Sequence, residues 1–119
     1  MLETKNTELL AAGAMKFTQI MPGAYHAQAW GNPEGEHGSF IKLKAGFKAP
    51  LHTHTHDVKL VIISGTLIHG EHYGSETRLP SGSYCFIPGG ARHTTACTRD
   101  SDCLFYEELP GKFDLNLIR

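Results

Sequence analysis

At 119 residues, with a net charge of −1 and a pI near 6.7, the chain has the length of one domain with a modest core. Its Lys and Arg residues are scattered without a basic run, which argues against nucleic acid or a membrane surface as partner. No apolar stretch approaches the roughly 20 residues that span a bilayer.

The predicted elements follow from composition and period. MLETKNTELLAAGAM carries early acids and no continuous apolar stretch, so it does not read as a signal peptide. Within it only Thr7–Ala12 looks helical, with Thr7 or Asn6 as cap and Gly13 as stop. Short segments with strand character come next, at Lys16–Ile20, Tyr25–Trp30, Gly38–Lys44, Lys59–Ser64 and Thr66–His72. They continue at Glu76–Leu79, Tyr84–Ile87, His93–Thr98, Cys103–Glu108 and Phe113–Ile118. FIKLK alternates apolar and polar residues, as a half-buried strand does, while LVII suits a strand covered on both faces. Turn signals such as GNPEG, YGS and PGG separate these pieces. The pattern predicts an all-β sandwich or barrel. Cys85, Cys97 and Cys103 have no CxxC spacing, which argues against a thiolate zinc site. They read as free thiols in a reducing compartment, so a cytoplasmic location is expected.

Two segments concentrate the chemistry. Residues 50–60 read PLHTHTHDVKL, with His52, His54 and His56 at alternate positions. On a strand, residues two apart share a face about 6.5–7 Å apart, and imidazoles at that spacing can converge on one ion. Two ligands do not make a site, and an isolated HxH is as consistent with a solvated strand edge. Residues 82–93 read GSYCFIPGGARH, in which a strand ends at Pro88, Gly90 permits a turn with positive φ, and His93 follows at a set position.

Together these segments resemble the paired motifs of the cupin superfamily. The first motif is matched by Gly46, five intervening residues, His52 and His54, with Gly65 later; the second by Gly82, Pro88, Gly90 and His93. The motifs stand in the family's order, about seventeen residues apart. SFIKLKAGFKAPL, VIISGTL and LPGKFDLNLI extend the likeness to small single-domain cupins. The resemblance implies one domain over residues 1–119, with 1–14 an extension and the motifs at 46–65 and 82–97. It implies a double-stranded β-helix, or jelly roll, that holds one divalent metal ion on His52, His54 and His93 and forms a homodimer. Fe, Zn, Ni and Mn are the metals considered, and the ligand types do not select among them.

The chain departs from the commonest cupin pattern at two places. Val58 stands where a carboxylate ligand is expected, and the nearest acid, Asp57, has the opposite strand parity from His52 and His54. Glu107 or Glu108 is the alternative source of an acid. Cys97 occupies the asparagine-like position of the second motif. Three neutral imidazoles would leave the ion's charge uncompensated, which favours a small anionic substrate. Three-histidine cupins include dioxygenases, so a non-haem dioxygenase is the first expectation. A redox-neutral lyase, isomerase or cyclase is the second, and a non-catalytic sensor or binding domain the third. His56, Tyr84 and Phe86 are the expected pocket residues. His26, His37, His69 and His72 have no spacing logic and read as surface or loop positions.

Overall fold

The alternation in FIKL and the β-rich run LVII become two strands flanking a third that arrives from late in the chain. The computed structural model describes residues 5–118. Its strands are β1 (Thr18–Met21), β2 (Ala24–Gly31), β3 (His37–Leu43), β4 (Lys48–Thr53), β5 (Val58–Ser64) and β6 (Leu67–Glu71). After them come β7 (Glu76–Leu79), β8 (Tyr84–Ile87), β9 (His93–Cys97), β10 (Cys103–Leu109) and β11 (Asn116–Leu117). Every pairing is antiparallel. A six-stranded sheet runs β1-β2-β3-β10-β5-β8 and a five-stranded sheet runs β11-β4-β9-β6-β7.

This is the expected all-β jelly roll. Between the sheets, β3 contributes Ile41 and Leu43, β5 contributes Val58, Leu60 and Ile62, and β10 contributes Cys103, Phe105 and Leu109. Burying an aliphatic side chain of this size stabilises the fold by about 1.5–3 kcal/mol. Among the described residues, no helix is long and apolar enough to cross a membrane.

Three local expectations need correction. The helix expected at Thr7–Ala12 does not form; the segment has a single 3-10 turn at Ala12–Ala14 with no side-chain cap. Leu9 and Leu10 are exposed, so no buried apolar face offsets the cost of nucleating so short a helix. Residues 1–4 of the expected extension lie outside the described residues. The strand β4 forms where no strand is expected, since KAPLHT carries a proline, two polar residues and a histidine instead of a β-rich run. The strand expected at Phe113–Ile118 shrinks to β11, because residues 110–115 cross from one sheet to the other and only Asn116 and Leu117 pair with β4.

Candidate metal centre

The geometry begins with the ladder between β4 and β9, where His52 lies directly opposite His93. Both side chains point inward and are 1% exposed, with ring centroids 4.2 Å apart. His54 follows the last residue of β4, and its ring centre lies 4.9 Å from that of His52 and 5.0 Å from that of His93. One ring nitrogen of each histidine lies within 4.8 Å of the others.

The other nitrogen of each ring is already committed. Nδ1–H of His52 donates to the Pro50 carbonyl at 2.7 Å, that of His93 to the Ala91 carbonyl at 3.0 Å, and that of His54 to the Asp114 carbonyl at 2.6 Å. A carbonyl oxygen only accepts, so Nδ1 carries the proton and Nε2 keeps its lone pair. The Nε2 atom of His93 is buried with no hydrogen-bond partner, which an ion would relieve. Burial pulls the His93 imidazole down to about 4, helped by its histidine neighbours, and burial likewise lowers His52. At neutral pH the His52 and His93 rings are therefore uncharged, as metal ligands must be.

The turn after β8 is sewn to the ladder. Gly90, at φ 83°, donates its N–H to the His54 carbonyl at 2.8 Å. Gly89 donates to the Asp57 carboxylate at 2.8 Å. The acid nearest the ladder therefore braces the turn that presents His93 and does not face the ion site. From the other end of the chain, Asp114 accepts bonds from the Thr55 N–H at 2.8 Å and from the Thr55 hydroxyl. Phe113 places its ring 5.4 Å from that of His54.

The three histidines open into a cavity of about 70 Å³ walled by Phe47, Val58, Leu60, Ile87, Phe105 and Phe113. Val58, 2% exposed, occupies the place of the expected acid. An acid nevertheless reaches the cavity from the opposite sheet. Glu107 on β10 is 5% exposed and lines the same cavity, outside the three-ring cluster. Burial alone pushes its carboxyl up to about 8. Glu107 also lines a second cavity of about 220 Å³, together with Ile20, Ile41 and Phe113 from the shared wall.

Other expectations change. Tyr84 and Phe86 face outward, 58% and 46% exposed, while Cys85 and Ile87 take the inner positions of β8. Their register opposite Val61 and Lys59 makes an exposed outer strip instead of a pocket wall. His56 lies outside the cavity, its ring packed so closely on Gly111 that an added Cβ there would collide with it. His69, read as a surface residue, lines the metal cavity from β6. Its ring stacks on His93 at 5.6 Å and its Nε2–H donates to Glu71 at 2.9 Å. His26 and His37 line the second cavity. His72 meets the expectation for an exposed position.

Histidines from two successive motifs meet inside a jelly roll, and the chain has the cupin fold. It is similar to an RmlC-like cupin from Shewanella frigidimarina (TM-score 0.73, 16% identity, 89% of this chain and 93% of that one covered). Within that fold the chain belongs to the family described as "Domain of unknown function (DUF4437)", which matches residues 5–116. The polyketide cyclase RemF from Streptomyces resistomycificus is similar at TM-score 0.82 and 15% identity, over 96% of this chain and 87% of that one. The DMSP lyase DddQ from Ruegeria pomeroyi is similar at TM-score 0.68 and 18% identity, over 83% of this chain and 57% of that one. Identities this low establish the fold alone. No curated protein matches the sequence.

Proposed function

We propose that His52, His54 and His93 hold one divalent metal ion, and that the protein is a redox-neutral metalloenzyme: a lyase, isomerase or cyclase acting on a small, oxygen-bearing organic anion. The observation that carries this reading is the pairing, in one cavity, of three free imidazole nitrogens with the buried acid Glu107. When bound, the ion supplies Lewis-acid polarisation of a substrate oxygen. The chain's own residues do the rest. His52, His54 and His93 orient the site, Phe47, Phe105 and Phe113 exclude water, and Glu107, whose carboxyl burial raises to about 8 in the metal-free fold, gives a proton to the substrate or recovers one from it.

Dioxygenase chemistry was the first expectation because no acid was seen beside the histidines. Glu107 weakens that ground, and the similar structures include a named cyclase and a named lyase. The deciding experiment loads the protein with Zn(II) or Fe(II) and incubates it without oxygen in D2O with small hydroxy and keto acids. Product formation or exchange of carbon-bound protons, read by NMR, is expected with either metal. Turnover that needs both Fe(II) and O2 would restore the oxygenase reading. A metal-loaded protein inert under both regimes would favour a binding domain.

A further inference from the structure

The metal cavity, at about 70 Å³, is small for an organic substrate. Small-molecule sites run to about 300–1,000 Å³. The missing room lies across the shared wall, in the second cavity of about 220 Å³.

Polar side chains enter that cavity where the inner face of a barrel is ordinarily apolar. Along β3 the inward positions change character, from Leu43 and Ile41 at one end to Ser39 and His37 at the other, and the last two are 3% and 5% exposed. Across the sheet, Gln28 on β2 and Glu107 on β10 both pair with Ser39, so hydrogen-bonding side chains form a row over three strands, buried at Glu107 and Ser39 and exposed at Gln28. Buried polar groups destabilise a fold unless something answers them.

The unused valences of this row define what fits. Nδ1–H of His37 donates to the Gly35 carbonyl at 2.8 Å, which leaves Nε2 as an acceptor. The amide NH2 of Gln28 donates one hydrogen to the Gly31 carbonyl at 2.6 Å, which leaves its second N–H as a donor and its oxygen as an acceptor. The Ser39 hydroxyl and the protonated Glu107 carboxyl can both donate and accept. At the mouth Lys112 is paired with Glu34 at 3.6 Å, so the two charges offset each other. An acceptor at His37, three groups able to donate or accept at Gln28, Ser39 and Glu107, and a lysine already paired match hydroxyl groups, and the His26 ring adds a further polar group to the wall. A carboxylate would bring no hydrogen to the His37 acceptor.

We infer that the second cavity is the subsite for the far end of the substrate, and that this end is hydroxylated: one oxygen-bearing end lies at the histidines, the hydroxylated end lies beside Ser39, His37 and Gln28, and Glu107 stands between them. This rests on the metalloenzyme reading and adds a substrate class to it.

The test uses the full chain loaded with Co(II) and three hydroxamates of similar length whose tails end in hydroxyl, methyl or carboxylate. Binding is read from the visible spectrum of the cobalt. The hydroxyl-tailed compound is expected to bind at least about tenfold tighter than the other two, and Ser39→Ala and Gln28→Leu should each erase most of that advantage. Equal affinity for hydroxyl and methyl tails, tighter binding of the carboxylate tail, or an advantage that survives both substitutions overturns the subsite alone. If no hydroxamate perturbs the cobalt spectrum, the metal-centre reading falls and the subsite falls with it.

Discussion

His54 donates its Nδ1–H to the main-chain oxygen of Asp114, sixty residues further along the chain, at 2.6 Å. The bond matters because β4 ends at Thr53, so no strand ladder fixes this ring. The crossing segment does so instead, clamped by the Asp114 carboxylate on Thr55. Asp114→Ala removes the clamp while leaving all three histidines in place. Metal affinity is expected to fall by about tenfold, the low end for loss of a ligand's supporting contacts, as measured by competition with a chromogenic chelator. Unchanged affinity would show that the main-chain path alone holds His54.

Removing a proposed ligand should have a larger effect than removing a bystander. His52→Ala and His93→Ala are each expected to bring the metal-to-protein ratio close to zero by elemental analysis. His56→Ala should leave it near one, because the His56 ring packs on Gly111 outside the cavity. Metal retained in His93→Ala would refute the ligand set.

The metal-free protein should lose stability on mild acidification. Burial holds His93 at about 4 in the fold, against 6.5 for the unfolded chain. Between those values the unfolded chain takes up a proton that the folded chain refuses. The stabilising contribution is therefore complete above pH 6.5 and is lost as pH falls toward 4. The loss attributable to this one ring is on the order of 2 kcal/mol, visible as a falling thermal midpoint. A flat midpoint across that window would mean that the ring stays solvated.

Glu107 acts in the opposite direction. Its carboxyl stands at about 8 in the fold and 4.5 in the unfolded chain. The folded state keeps a proton that the unfolded chain releases, so stability falls as pH rises from 4.5 to 8. Glu107→Gln, which is never ionised, should gain on the wild type by roughly 2–4 kcal/mol between pH 5 and pH 8 in the metal-free protein. Metal loading should shrink that gain, since a nearby cation favours the carboxylate. Denaturant titrations at the two pH values, with and without metal, test both statements.

The residues that announced themselves in sequence were those whose spacing is local. His52 and His54 share one strand face, and His93 follows a turn that only Pro88 and Gly90 punctuate in that way. What remained hidden depended on register. YCFI is apolar at both parities, so nothing in it showed that Tyr84 and Phe86 would face outward. His69 reaches the cavity only because β6 pairs with β9, where it lies opposite Thr95. Glu107 did carry a local signal. Cys103, Phe105 and Leu109 recur at a period of two, which places Glu107, and not Glu108, on the buried face. The helix at Thr7–Ala12 failed for want of a partner surface, which propensity does not report.

The three acceptors that orient the rings are all main-chain oxygens, of Pro50, Ala91 and Asp114. A side-chain carboxylate in that role could be lost to a single codon change; a carbonyl oxygen is present whatever residue stands there. The proton positions on the imidazoles are thus inherited from the path of the backbone and not from residue identity. Drift in the cavity walls can reshape what enters the barrel while the histidines keep the same tautomers and the same grip.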